Sequence, residues 1–139
     1  MSHGQEISRA VLQLRMSSPF FAALLLFALL EPRPGLGTAV TDGQAIYYDP
    51  AFFASLDSDG IAAVLLHEVL HCALRHPSRC GRRNPKLWNF AADIVVNGVI
   101  AEHGRFKLPN RLPSTPSTPE WRRECKSLGS PDDQRVVLL

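Results

Sequence analysis

The sequence predicts an α+β fold, mostly helical, with two buried helices that carry polar residues and one small β-hairpin or sheet. Three observations lead there. Residues 61–76 and 87–101 are apolar on nearly every side, over lengths that suit helices and exceed strands. Each sets a few polar residues at helical spacing into that apolar surface. Between residues 38 and 48, short β-prone runs flank Asp42-Gly43, a hairpin turn signal. The 139 residues allow one domain with a modest core.

The elements follow in order. Residues 5–16 read as an amphipathic helix with Ile7, Val11, Leu12 and Leu14 on one broad side. Pro19 suits the first turn of a second helix. Residues 20–30 are an apolar run shorter than a membrane span. With Arg9 and Arg15 upstream the run faintly resembles a secretory signal, which would make the protein secreted or anchored. A buried helix is the preferred reading. Pro32, Pro34, Gly35 and Gly37 make residues 31–37 a loop. The hairpin follows, and residues 49–56 link it to the next helix with one helical turn. Asp57 is a good N-cap, with Asp59 adding negative charge in the first turn. Pro77 places the end of that helix near His76. Residues 78–85 form a basic loop, and residues 87–101 the second apolar helix. Beyond residue 112, PSTPSTPEW is a tract that cannot pack a core. The expected organisation is a domain over 1–112 and a mobile tail over 113–139, with a short turn near Trp121.

Chemistry enters at His67-Glu68-Val69-Leu70-His71. On a helix, residues four apart stand about 40° apart on one face, one turn above the other. Two imidazoles so placed can hold one zinc ion. Glu68, one residue along, reaches a metal-bound water rather than the metal. That is the arrangement of a zinc hydrolase with a glutamate general base. The plain alternative is two satisfied core histidines and a chance glutamate.

Catalytic zinc takes three protein ligands and a water. Asp93 is the better candidate for the third. Asn89, Asp93 and Asn97 recur every four residues, one polar stripe on an apolar cylinder. A carboxylate set there needs a metal or a partner. Asn97 and Asn89 are candidates for the surrounding shell, Asn97 by hydrogen bonding a ligand imidazole or Asp93. His76 is the alternative third ligand. It lies nine residues after His67, on the opposite side of a continuous helix. Bringing it round needs a sharp turn, and no glycine lies between His71 and His76.

At these residues the chain resembles the zincin superfamily of metallopeptidases. It is more closely similar to a bacterial metallopeptidase-type domain often found beside a von Willebrand A-like domain. The markers are TDGQAIYYDP from Thr41, HEVLHCALRHP from His67 and PKLWNFAADIVVN from Pro85. The resemblance implies His67, His71 and Asp93 as metal ligands, Glu68 as base, Zn²⁺ as cofactor and a peptide or protein as substrate. It implies an edge strand just before the motif helix that pairs with extended substrate. On that edge Tyr47 or Tyr48, though not both, could aid an oxyanion. His103 is a weaker candidate for the same task. A protein partner, an ATPase or a von Willebrand A-like protein, is a further implication. The sequence has no D-x-S-x-S motif of a von Willebrand A domain, so the expectation is the metallopeptidase-like module alone or a truncated relative.

Net charge of +2 is too small to argue for nucleic acid. Arg75, Arg79, Arg82 and Arg83 form a local basic run, a solvated loop or a dock for an acidic partner. Three cysteines at no zinc-ribbon spacing fit a reducing, cytoplasmic setting. Cys72, one residue past His71, points away from the metal face and reads as a small buried hydrophobe. Two functions stand side by side: a zinc metallopeptidase, and a catalytically silent zinc-binding module that regulates a partner.

Overall fold

The computed structural model describes residues 3–109 and 137–138. Six helices and four short strands appear among them, an α+β arrangement that is mostly helical. The order is α1 (His3–Ser17), α2 (Pro19–Leu26), β1 (Leu29–Pro32), β2 (Ala39–Thr41), β3 (Ala45–Tyr48), α3 (Pro50–Ala54), α4 (Ser58–Ala73), α5 (His76–Arg79), α6 (Pro85–His103) and β4 (Val137–Leu138).

The centre of the molecule is α4. Asp57 caps it, its carboxylate accepting from Gly60 N at 2.8 Å. Every residue from Ile61 to His71 is buried, as expected of a helix apolar all round. Helix α1 packs along it with Ala10 and Leu14, and α2 adds Phe21 and Leu25. The sheet brings Ala39 and Ile46 to the same core, and α6 closes another side with Val96 and Ile100.

The sheet runs β1-β3-β2-β4. β2 and β3 are the expected antiparallel hairpin, with Thr41 opposite Ile46. The Asp42 carboxylate accepts from Gln44 N and Ala45 N, both at 2.9 Å, and Gly43 takes φ 99. Such a φ favours glycine, so the Asp-Gly signal has its expected cause. β1 joins β3 in parallel and β4 joins β2 antiparallel. Neither hairpin strand is therefore an edge, which corrects the expectation that the hairpin offers one to an extended peptide.

Four further expectations are corrected. The apolar run 20–30 is not one buried helix. Phe27 caps α2, and Leu29 and Leu30 continue as β1. Phe20, Leu26, Phe27 and Leu29 are exposed. Uniform apolarity hides a change of period from helix to strand. The loop expected at 31–37 starts later, since Glu31 and Pro32 belong to β1, where an edge strand tolerates proline. The motif helix ends at Ala73, before His76, because Arg75 turns left-handed at φ 55. Helix α6 is buried only along Ala92, Val96 and Ile100, and Leu87, Phe90, Ile94 and Val95 face outward. Asn84 caps it, its side chain accepting from Lys86 N and Leu87 N. The tail expected at 113–139, with its turn near Trp121, lies outside the described residues except for β4. No helix among the described residues is long and apolar enough to cross a membrane.

Candidate metal centre

Helices α4 and α6 pack side by side, and the polar groups of both meet at their contact. His67 and His71 stand one turn apart on α4, at most 1% exposed. Asp93 comes from α6 with its side chain 26% exposed. Three atoms converge. His67 Nε2 and His71 Nε2 are 2.9 Å apart, and Asp93 Oδ1 lies 3.0 Å from the second and 3.3 Å from the first. His67, His71 and Asp93 are a group that could hold a metal ion, as the sequence predicts.

The opposite ring nitrogens fix what these atoms can do. His67 Nδ1 lies 2.9 Å from Asn97 Oδ1. An amide oxygen only accepts, so Nδ1 carries the proton and a neutral ring leaves Nε2 bare. His71 Nδ1 lies 2.9 Å from His76 Nδ1. When His71 donates there, its Nε2 is bare as well. Two lone pairs and a carboxylate oxygen then face one point, a repulsive cluster that a shared cation reconciles. Two imidazole nitrogens and one carboxylate oxygen suit zinc, and also iron or manganese. The residues present fit a metal.

His76 thus reaches the centre in a different place from the one a third ligand needs. The turn at Arg75 brings it round without a glycine, but to the outer nitrogen of His71. Trp88 on α6 holds it there: its indole Nε1 donates to the His76 carbonyl at 2.8 Å, and the two rings meet edge to face at 6.1 Å. Trp88 was not legible as a site residue, since a tryptophan on an apolar helix reads as core. Its one available signal was the polar tip, which needs an acceptor when buried.

Glu68 is fully buried, and neither carboxylate oxygen has a hydrogen-bond partner among the described residues. Burial pushes its carboxyl well above the ordinary range, and the Asp93 charge adds to this. For Asp93, burial also pushes upward, but the facing imidazoles of His67 and His71 outweigh it when an Nε2 carries a proton in place of a metal, and the group lies below its ordinary value. His71 is lowered to about 4, mainly by burial. Two carboxylates of opposite tendency therefore share one site, one made basic and one kept ionised.

Other candidates stay outside. Asn89 lies one turn before Asp93, half-buried, with no hydrogen bond to the three among the described residues. The Tyr47 hydroxyl meets Asp42 at 3.1 Å, and Tyr48 stacks on Phe53 at 4.6 Å, so both rings pack elsewhere. His103 sits at the far end of α6 between Phe21 and Phe106. Cys72 turns to β2, its sulfur 3.0 Å from Thr41 Oγ1. Burial pushes that thiol up to about 11, as for an inert buried group.

Comparison with known proteins adds an independent line. A family model described as "Putative metallopeptidase domain" matches residues 2–128. A Thermotoga maritima protein carrying the name "Uncharacterized protein" is 28% identical over 118 residues, covering 78% of this chain and 29% of that relative. The chain thus spans less than a third of the relative's length. No solved structure matches.

Proposed function

The chain belongs to this metallopeptidase domain family, and from that premise we propose that it is a zinc-dependent peptidase with Glu68 as general base. One observation carries the reading: an orphaned, fully buried carboxylate stands one residue from a converging His67, His71 and Asp93. A structural site has no use for such a group.

His67, His71 and Asp93 would hold the ion. Bound zinc supplies Lewis acidity, acidifying water and polarising a carbonyl. The chain's own residues do the rest. Glu68, made basic by burial, takes a proton from the attacking water and hands it to the leaving amine. Asn97 and His76 hold the two imidazoles so that their Nε2 atoms face inward. The partial exposure of Asp93 supports an opening toward solvent on the α6 side.

The rival is a zinc-stabilised module that regulates a partner protein. Such a site closes its fourth position with protein. Among the described residues the cluster has three members, which supports the peptidase. Elemental mass spectrometry tests the metal. Wild type should carry one zinc per chain, and His67→Ala and Asp93→Ala should lose it. Glu68→Gln should keep the zinc and lose hydrolysis by roughly 100-fold or more. A Glu68→Gln protein that cleaves like wild type would remove Glu68 as the base.

A further inference from the structure

Between Glu68 and Asp93 the sequence has no Asp or Glu, yet five of its fifteen Lys and Arg residues fall there. They are Arg75, Arg79, Arg82, Arg83 and Lys86, and all five are exposed. Among the described residues none of them meets a carboxylate. An isolated surface cation needs no explanation. Five of one sign, with no carboxylate paired to them among the described residues, make a positive patch that an anionic partner can neutralise.

This run is anchored to the metal centre. Its first helix, α5, begins with His76, which meets His71 at 2.9 Å. Trp88 ties the His76 carbonyl to α6, and the Arg83 guanidinium lies over the Trp88 ring, 5.1 Å from its centroid. Two of the cations are also held in place. Arg79 donates to the Leu74 carbonyl at 3.1 Å, and Arg83 to the Arg79 carbonyl at 2.9 Å. Cations already ordered lose less freedom when a ligand arrives.

We propose that the rim formed by Arg75, Arg79, Arg82, Arg83 and Lys86 docks an acidic polypeptide segment beside the metal centre. Read with the peptidase assignment, on which this last step rests, the segment belongs to the substrate, and acidic residues near the scissile bond are preferred. The docking itself does not need turnover.

The test uses Glu68→Gln full-length protein and two fluorescein-labelled decapeptides, one alternating Glu and Gly and one alternating Gln and Gly, followed by anisotropy. The acidic peptide should bind roughly tenfold tighter than the neutral one. Its affinity should fall as salt rises from about 0.05 to about 0.5 M. Arg82→Glu with Lys86→Glu should weaken it roughly tenfold at unchanged zinc content, while Arg82→Lys with Lys86→Arg preserves it. Should the reversal fail to fold, Arg82→Ala carries the same comparison. Equal binding of the two peptides, or indifference to the reversal, would overturn the inference. A wild-type cleavage assay on a mixed peptide library separates the two claims. Acidic binding with no cleavage of any peptide sinks the peptidase and leaves the dock. Cleavage with no acidic binding sinks the dock and leaves the peptidase.

Discussion

Asn97 is the residue whose role is easiest to underrate. It is exposed on α6, yet its amide oxygen sets the tautomer of a histidine that is 1% exposed. Substituting Asn97 by Leu should leave the fold intact, because the position is at the surface. It should lower metal affinity on the order of 10- to 100-fold, the usual effect of removing such a partner, measured by competition with a chromophoric chelator. An unchanged affinity would mean that His67 is oriented by packing alone. At this scale much was legible. That His67, His71 and Asp93 meet, with Asn97 beside them, follows from helical spacing and from the demand that a buried polar group find a partner. His76 and Trp88 did not follow. Their meeting depends on Arg75 at φ 55, a conformation that costs a non-glycine residue about 1–2 kcal/mol and that tertiary contacts, not local preference, impose.

Helix α6 has two unlike sides. Ala92, Val96 and Ile100 are buried against α4, while Leu87, Phe90, Ile94 and Val95 face outward. A change on the outer side removes little packing, so Ile94→Gln should alter stability by less than about 0.5 kcal/mol. Val96→Ala deletes two methyl groups from the core and should cost about 1–2 kcal/mol. Urea midpoints of the two variants decide the matter, and equal losses would show that both sides of α6 are packed. The asymmetry explains why the sequence predicted a helix here but misjudged its burial. Apolar content reports what a face can bury, not what covers it. The same limit split residues 20–30 between α2 and β1. The hairpin was read correctly because Asp42-Gly43 is a local signal, satisfied by hydrogen bonds within three residues.

At the scale of the whole molecule, two titratable groups, Glu68 and His71, lie fully buried at its centre, and this shapes its response to acid. Burial holds His71 at about 4 against 6.5 for the free side chain. Below pH 6.5 the unfolded chain takes up a proton that the fold refuses until about 4. The His71 contribution to the stability of the metal-free protein is fully present above that window and declines through it as pH falls, by an amount on the order of 3 kcal/mol. Glu68 acts in the opposite sense, so its contribution is lost as pH rises through its raised value. Chemical denaturation of the metal-free Glu68→Gln chain, which lacks the opposing group, at three pH values across the His71 window checks the first sign, and a flat profile there would refute it. One last feature bears on how the chain assembles in time. β4 sits on β2 with Leu138 opposite Val40, so residues far apart in the sequence are neighbours. Closing so long a loop is entropically slow, and two residues of pairing repay little of it. The pair should form after the rest of the domain and open before it. In native-state hydrogen exchange, the amides of Val137 and Leu138 should exchange at near-unprotected rates while those of α4 wait for global unfolding. The molecule would then breathe at one sheet edge while its helical centre stays shut.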